Sequence, residues 1–426
     1  MVWYRERYRH LLAAKGIKTS KKSFAIKYYK VGGAVRDELM NRAPKDIDVV
    51  AVGANKEYMM KRFGEPKGED FPVFIGKVPG HSELGVVEIA MARKESKIPE
   101  QVGHRAFKME FGPDVTLLED LKRRDLTINA MAKDLETGEL IDPYGGQEDI
   151  RRGLLRHVNE EAFGDDPQRI FRLARMRARF GFDVDPETMR LAEQAEIMGV
   201  PDDEIGKETM KAIGEKYPSL YFRTLEDAGK LQEFFPQLAA LKGVPHRHEE
   251  DAFEHQLMAL DKAAEYDLPV DYRFAVGAHD WGKGETPESE LPRHIGHEKV
   301  SAQLVKEYFK RYPYNAGTAG KTAEWFAKNH MRLHKIDDMG YASLADLAEE
   351  VINKRLDPKL INIASRADAM GRIKPVQNNE SERLQKAVDI ISKVGTEDIR
   401  ARGFTGPKIG ALHHQAKVEA LRRAGV

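Results

Sequence analysis

Asp46 and Asp48 stand two residues apart in "KDIDVVAVG", shortly after the glycine pair and arginine of "KVGGAVRDELM". Residues two apart in a strand face the same way, so the spacing predicts two carboxylates on one face. Paired carboxylates are oxygen ligands suited to Mg²⁺. An ion held between them and a triphosphate activates a hydroxyl and stabilises a leaving pyrophosphate. Gly32-Gly33 close an apolar strand and open a helix, a turn that aims backbone N–H groups at an anion. Arg36, one turn beyond Gly33, would add a bidentate contact to phosphate oxygens. Taken singly, the glycines read as a tight turn and the aspartates as solvated turn residues. Together, at this separation, they read as a phosphate cradle beside a metal site. Glu88, in "GVVEIAMAR", would be a third carboxylate or would equally serve to order Arg93.

Further along, "DDPQRIFRLARMRARFGF" sets Asp166 and Arg169 three residues apart at an expected helix start, where both project from one turn. A carboxylate accepts from the exocyclic amino group of cytosine or adenine, and a guanidinium donates to the cytosine O2/N3 edge or to adenine N1. Such a pair admits C and A and rejects G and U without a nucleic-acid template. Between these runs, "KRRDLTINAMAKD" carries Arg123, Arg124, Asp125 and Asn129. Its Arg-Asp pair would position a ribose, or is a plain ion pair at a strand start. A second concentration comes later: His246, His248, His255, His279, His294, His297, His330 and His334 are eight of the chain's 14 histidines. His255, the His279-Asp280 doublet and Asp368 fall on helix-patterned runs. Mixed imidazole and carboxylate ligands favour a transition metal such as Ni²⁺ or Mn²⁺ over Mg²⁺. His294, His297, His330 and His334 would be extra ligands or phosphate-binding groups.

"GGAVRDELMNRAPKDIDVVAVG" resembles the signature of the polymerase-β-like nucleotidyltransferases, and most of all their class II branch, the bacterial CCA-adding tRNA nucleotidyltransferases and bacterial poly(A) polymerases. "KRRDLTINAMAKD", "IDPYGGQEDIRRGLLRHV" and "DDPQRIFRLARMRARFGF" resemble the family's later motifs in order, so the likeness covers about residues 30–370. The His, His-Asp, Asp set resembles the ligands of the HD phosphohydrolase superfamily. The resemblance implies template-independent addition or repair of the CCA end of tRNA from CTP and ATP, with the tRNA 3′-hydroxyl attacking the α-phosphate. It implies that Arg124 contacts the incoming nucleotide, that Arg172 and Arg175 hold the triphosphate, and that a helical body receives the tRNA acceptor arm. For the HD part it implies phosphatase, 2′-nucleotidase and 2′,3′-cyclic phosphodiesterase activities. The family's Glu-Asp-x-x-Arg pattern has Asp165 in place of its Glu here, a shorter acid that leaves the pair intact. Two alternatives are a poly(A) polymerase of the same fold and an HD phosphohydrolase with a non-catalytic RNA-binding head. The HD ligands and the zero net charge weigh against the first, since long single-stranded RNA favours a more basic surface.

The elements that must position these groups read as an α+β chain. A small mixed head, with a sheet of five or so strands ("YYKV", "IDVVAV", "FPVFIGKV", "GVVEIAMA", "LTINAMAKD"), precedes a long all-α body. The expected divisions are a basic N-terminal extension at 1–29, a catalytic head at 30–146, a helical nucleotide-selecting segment at 147–245, an HD domain at 246–370 and a helical tail at 371–426. "RKESKIPEQVGHRAFKMEFGPD" reads as a mobile loop near the head's site. The tail's "GFTGPKIG" turn, leading into a helix, would touch an RNA backbone or simply pack. At 426 residues, 41% hydrophobic and 32% charged, the chain is a globular protein of several domains. Lys+Arg and Asp+Glu both number 69, which argues against non-specific coating of nucleic acid. With no cysteine, disulfides and thiolate-held zinc are excluded. The N-terminal run lacks the apolar core of a signal peptide and no stretch suits a bilayer, so a cytoplasmic location without membrane association is expected, with a possible homodimer.

Overall fold

The computed structural model describes residues 25–68, 72–97, 107–246, 251–373, 382–403 and 405–426. Residues 1–24 of the basic extension, the centre of the expected loop, His248 and the side chain of Asp165 lie outside the described residues; the last three residues of the extension, Lys27 to Tyr29, already belong to a strand of the head. The chain forms two compact units, Met1–Val200 and Pro201–Val426. Their division falls inside the segment 147–245.

The first unit is built on a six-stranded sheet, one strand more than the sequence suggested. Its strands are β1 (Lys27–Val31), β2 (Asp48–Val52), β3 (Val73–Gly76), β4 (Val87–Met91), β7 (Ala132–Asp134) and β8 (Leu140–Ile141), in the order β3-β4-β2-β1-β7-β8. Central β2 runs antiparallel to β1 and parallel to β4, which sets Asp48 beside Glu88. Its side chains alternate between two buried faces. Val49 and Ala51 pack with Met59, Phe74 and Ile89, while Val50 packs with Tyr29, Val31 and Leu121.

The observed strand β2 begins at Asp48, and Asp46 lies in the bend before it. The ladder ends there because Asp48 pairs with Val31, the last residue of β1 before Gly32 turns away. "LTINAMAKD" is likewise not one strand: Thr127–Asn129 is a 3₁₀ turn and only Ala132–Asp134 joins the sheet. Asp125 causes the fold-back by accepting from Leu126 N and Asn129 Nδ2. The run read as a loop is flanked by an antiparallel pair, β5 (Arg93–Lys97) and β6 (Phe107–Phe111). Past Gly146, short strands β9 (Leu154–Leu155) and β10 (Asp183–Val184) pair in parallel.

Helices α1 (Gly33–Leu39), α2 (Lys56–Phe63), α3 (Leu117–Lys122), α4 (Gly146–Arg152), α5 (Glu160–Asp165), α6 (Gln168–Phe180) and α7 (Pro186–Gln194) complete this unit. A capping box starts α3, with Thr116 and Glu119 each bonding the other's backbone N–H. Helix α6 buries Ile170, Phe171, Leu173, Ala174, Met176, Ala178 and Phe180 along one stripe and stops at Gly181, which takes a left-handed conformation.

The second unit has helices and no strand among its described residues. Its main helices are α8 (Asp202–Ile213), α9 (Ser219–Asp227), α10 (Ala252–Glu265), α11 (Val270–Ala278), α12 (His297–Arg311), α13 (Lys321–Leu333), α14 (Tyr341–Lys354), α15 (Pro358–Met370), α16 (Arg383–Ile391) and α17 (Pro407–Ala424). Helix α10 packs on α11 and α15, and α11 and α12 both pack on α13. Phe274, Trp281, Tyr308 and Phe309 form an aromatic core beside them. Among the described residues, no helix is long and apolar enough to cross a membrane.

Candidate functional sites

In the first unit, one cleft of about 670 Å³ is lined by Gly33, Arg36, Asp46, Asp48, Arg124, Asp166, Arg169, Arg172 and Arg175 together. Every residue singled out in the sequence for nucleotide chemistry is therefore at one place; Glu88 is not among the lining residues.

Asp48 sits at the mouth of β2. Burial raises its carboxyl pKa, and the like charges of Glu88 and Asp46 add to this against the opposing charge of Arg124. A carboxylate whose ionisation is penalised by burial and by neighbouring like charges is relieved by a cation, so Asp48 with Asp46 beside it fits a hard divalent ion such as Mg²⁺. Gly32, at φ 65°, turns the chain into α1, and a Cβ there would meet Arg124 Nη1 at 2.8 Å. Only glycine accommodates both the turn and the arginine lying over it.

The cleft's arginines divide into framework and presented groups. Arg36 is buried: its Nε donates to Asp37 Oδ1 at 2.9 Å, its Nη1 to Asn129, and its guanidinium lies over the Phe180 ring. It braces α1 against α6, with Arg179 donating to the other Asp37 oxygen at 3.0 Å. Asp125 is equally committed, accepting from Arg172 Nε at 2.8 Å as well as from Leu126 N and Asn129. Burial would raise its carboxyl, but Arg172, Asn129 and Arg169 outweigh this and hold it well below the usual carboxylate range. With its oxygens so engaged, Asp125 frames the cleft, where the sequence had suggested a ribose contact. Asp166 ends the α5–α6 connection and meets Arg169 Nε at 3.5 Å. The pair is thus brought together although α6 begins only at Gln168. Arg169 also donates to the carbonyls of Arg124 and Arg123 at 3.2 and 2.6 Å.

Sequence reasoning missed Asp120. It is fully buried and accepts from Arg93 N, from Nε and Nη2 of Arg123 and from Nη2 of Arg124. The available signal was an acid three and four residues before an Arg-Arg pair on a helix. Glu95 was missed too; from β5 it reaches Arg93 at 3.1 Å, Arg123 at 3.6 Å and Arg169 at 3.8 Å. Asp37, Lys45 and Arg179 also line the cleft.

The second unit brings His255 of α10, His279 and Asp280 at the end of α11, and Asp368 of α15 into one buried cluster. His255 Nε2 lies 3.1 Å from Asp368 Oδ1 and 3.7 Å from Asp280 Oδ2, and His279 Nε2 lies 3.4 and 3.3 Å from the same oxygens. The His279 Nδ1–H donates to Val276 O at 2.7 Å, which turns Nε2 inward. Gln256 spans α10 and α11, donating to Val276 O and accepting from Asp280 N. Burial would lower the His279 pKa, but Asp280 and Asp368 push it up to about 10. Asp280 and Asp368 are held well below the carboxylate range despite burial, His279 being the leading cause for both. Both ring nitrogens of His255 and one oxygen each of Asp280 and Asp368 are buried without a hydrogen-bond partner. Four buried ligand groups, three of them with orphaned atoms, fit a metal ion better than they fit one another. Of the extra histidines, His294 is structural: its ring nitrogens bond Thr286 Oγ1 and Pro245 O. His334 Nε2 lies 2.8 Å from Asp368 Oδ2, an ion-pair approach that lacks hydrogen-bond geometry.

These two sites match known families. Residues 28–156 match the Poly A polymerase head domain and residues 252–373 the HD domain. The multifunctional CCA protein of Acidovorax ebreus (strain TPSY) is 40% identical over 420 residues, covering 93% of this chain and 96% of that protein. The multifunctional CCA protein of Pseudomonas fluorescens (strain Pf-5) is 38% identical over 414 residues, covering 93% and 98%. Solved structures share the fold. A CCA-adding enzyme in apo form I superposes with a TM-score of 0.60 at 24% identity, covering 93% of this chain and 86% of that one. The Thermotoga maritima CCA-adding enzyme complexed with tRNA gives 0.57 at 22% identity, covering 93% and 87%. The chain belongs to the family of multifunctional CCA proteins, CCA tRNA nucleotidyltransferases that join a poly A polymerase head to an HD domain.

Proposed function

We propose that the head's cleft adds or repairs the 3′-terminal CCA of tRNA, taking CTP and ATP and releasing pyrophosphate, with each step assigned to residues of this chain. Asp46 and Asp48 would hold Mg²⁺, which when bound supplies charge stabilisation for attack of the tRNA 3′-hydroxyl on the α-phosphate. Gly33 leaves room for the triphosphate beside Arg36. Arg172 and Arg175, on successive turns of α6, face the same cleft and supply cationic contacts to phosphate oxygens. Arg36 keeps α1 in register with α6 and contributes its charge from behind. Asp166 accepts from the amino group that cytosine and adenine share, and Arg169 donates to the neighbouring ring edge. Arg169 is fixed to the carbonyls of Arg123 and Arg124, so it presents a preset direction, as a selector must.

The observation that carries this reading is the single cleft uniting the two aspartates with the Asp166–Arg169 pair and the α6 arginines. The decisive experiment incubates the protein with tRNA lacking its terminal nucleotides and each NTP in turn, then sequences the products. Ordered addition of C, C and A supports the proposal; long A tracts without C would replace it with poly(A) synthesis. The relatives found carry the CCA name, which favours the first outcome.

A second activity is proposed for the buried His255, His279, Asp280 and Asp368 cluster: metal-dependent phosphoester hydrolysis with Ni²⁺ or Mn²⁺. The orphaned ligand atoms there support it. The domain divisions expected from the sequence, the tRNA acceptor arm as macromolecular partner, a homodimer and a cytoplasmic location belong to the same proposal. Sedimentation of the purified chain tests the dimer.

A further inference from the structure

Arg172 and Arg179 leave α6 seven residues apart, two turns along one face. Each ends on a buried carboxylate. Arg172 Nε donates to Asp125 Oδ2 at 2.8 Å, and Arg179 Nη2 donates to Asp37 Oδ2 at 3.0 Å. The two acids belong to different elements, Asp37 to α1 and Asp125 to the run that enters the Thr127–Asn129 turn. Side chains also join them to each other. Arg36 Nε donates to Asp37 Oδ1 at 2.9 Å, Arg36 Nη1 donates to Asn129 Oδ1, and Asn129 Nδ2 donates to Asp125 Oδ1 at 3.1 Å. The bonds therefore form a closed circuit that leaves α6 at Arg172 and returns to it at Arg179.

Asn129 is the one neutral member of that circuit. It meets a carboxylate, which only accepts, and a guanidinium, which only donates, so its amide is fixed in one orientation. An aspartate at 129 would set two carboxylates against each other, and a lysine or arginine would set two cations together. Arg36, Asp37, Asp125 and Asn129 are all buried, so a broken link leaves a charged group unsatisfied. Met176, between the two arginines on α6, packs against Arg36 Nη1 at 3.8 Å and leaves that guanidinium no room to swing aside.

The same helix begins at the base-selecting pair. Arg169 bonds the carbonyls of Arg123 and Arg124, the residues next to Asp125, so one short run of chain holds α6 at Arg169 and Arg172, and through Asn129 at Arg179. We propose that Asn129 is a positioning residue for base selection. By closing the circuit it fixes the rotation of α6 against α1, and with it the span from the phosphate cradle to the Asp166–Arg169 pair. A nucleotide is then measured from both ends at once. Uracil, with a keto oxygen where cytosine carries its amino group, is refused only while that span is held. This rests on the reading of Asp166 and Arg169 as the base selector.

The test measures kcat and KM of the full chain for a single addition of CTP or UTP to tRNA lacking its CCA end. The readout is the ratio of kcat/KM for CTP to that for UTP. The triphosphate is common to both nucleotides, and a reduced folded fraction lowers both rates alike, so neither a lost phosphate contact nor lost stability moves this ratio. Asn129→Asp should lower it by at least about tenfold, chiefly by lowering kcat for CTP. Arg179→Ala, at the partly exposed far end of the circuit, should lower it in the same direction, and it decides the question if the Asn129 variant fails to fold. Asp166→Ala should lower it most. A ratio that falls in Asp166→Ala and is unchanged in both circuit variants overturns the role of Asn129 and spares the selector. A ratio unchanged in all three overturns both. With both circuit variants folded, a fall in only one of them overturns the circuit as the cause.

Discussion

Asp48 shows how a residue's function is written as a local cost. Its folded-state carboxyl is raised by burial and then by Glu88 and Asp46. A raised carboxyl means that the folded state binds the proton more readily than the unfolded one. Its ionised form therefore subtracts stability at neutral pH, and that deficit disappears as pH falls through the folded pKa. Asp46→Asn removes one of the like charges. The expected outcome is a higher melting temperature for the metal-free head, together with a loss of nucleotide addition of at least about a hundredfold. A variant that lost stability along with activity would show that Asp46 is a packing residue. His279 has the opposite sign. Its folded pKa is about 10, against an ordinary value of 6.5, so its contribution is full below pH 6.5 and is lost as pH rises through 10. A metal ion needs the neutral imidazole, so binding must expel that proton. Affinity for Ni²⁺ should therefore rise roughly tenfold per pH unit between pH 7 and 9. Calorimetric titration at three pH values in buffers of different ionisation heat checks both the slope and the released proton.

At the scale of elements, α3 is the part whose importance exceeds its length. It spans six residues, yet Asp120 on it ties down Arg123, Arg124 and the first residue of β5. Burial would raise this carboxyl, but Arg123 and Arg124 hold it below its ordinary value. Asp120→Ala should cost about 3–5 kcal/mol, since it removes the buried carboxylate paired with Arg124 and one of the two acids paired with Arg123. The loss should be smaller in acid, because the wild-type contribution is present above the unfolded pKa near 3.9 and fades as pH falls through the folded one. Urea melts of variant and wild type at pH 7 and pH 3.5 measure both. This network also marks where the sequence stopped being legible. The residues that touch solvent in the cleft were readable because their types are costly elsewhere: paired aspartates, a glycine turn, arginines on a helix. Asp37, Asp120 and Glu95 were not, because an acid near arginines looks like a surface ion pair until its burial is known. The mistaken strand through "LTINAMAKD" has the same origin. Its apolar run reads as extended, and only the Asp125 carboxylate, accepting from Leu126 N and Asn129 Nδ2, folds Thr127–Asn129 into a turn. The hairpin β5–β6 was read as loop because "RKESK" has no apolar alternation, its pairing being supported by Lys94–Glu110 and by Glu95 on the arginines.

For the whole molecule, the two compact units carry two acid sets of different chemistry. The carboxylates of Met1–Val200 are all-oxygen donors, whereas those of Pro201–Val426 are mixed with imidazole. Hard and borderline ions should therefore partition between them. After exhaustive chelation both activities should be absent. Mg²⁺ alone should restore addition of C and A to truncated tRNA while leaving phosphoester hydrolysis low, and Ni²⁺ at micromolar concentration should restore hydrolysis. Ion binding to a folded unit also raises its stability, by about 2.7 kcal/mol at a hundredfold excess over the dissociation constant. Ni²⁺ should accordingly shift only the calorimetric transition of Pro201–Val426. Asp368→Ala should abolish that shift and the hydrolysis, while Asp48→Ala leaves both. A single ion restoring both activities, or one substitution removing both, would mean that the two acid sets act as one site. The separation in ligand chemistry argues that they do not, because no single ion suits two bare carboxylates beside a triphosphate and a buried imidazole cluster equally well.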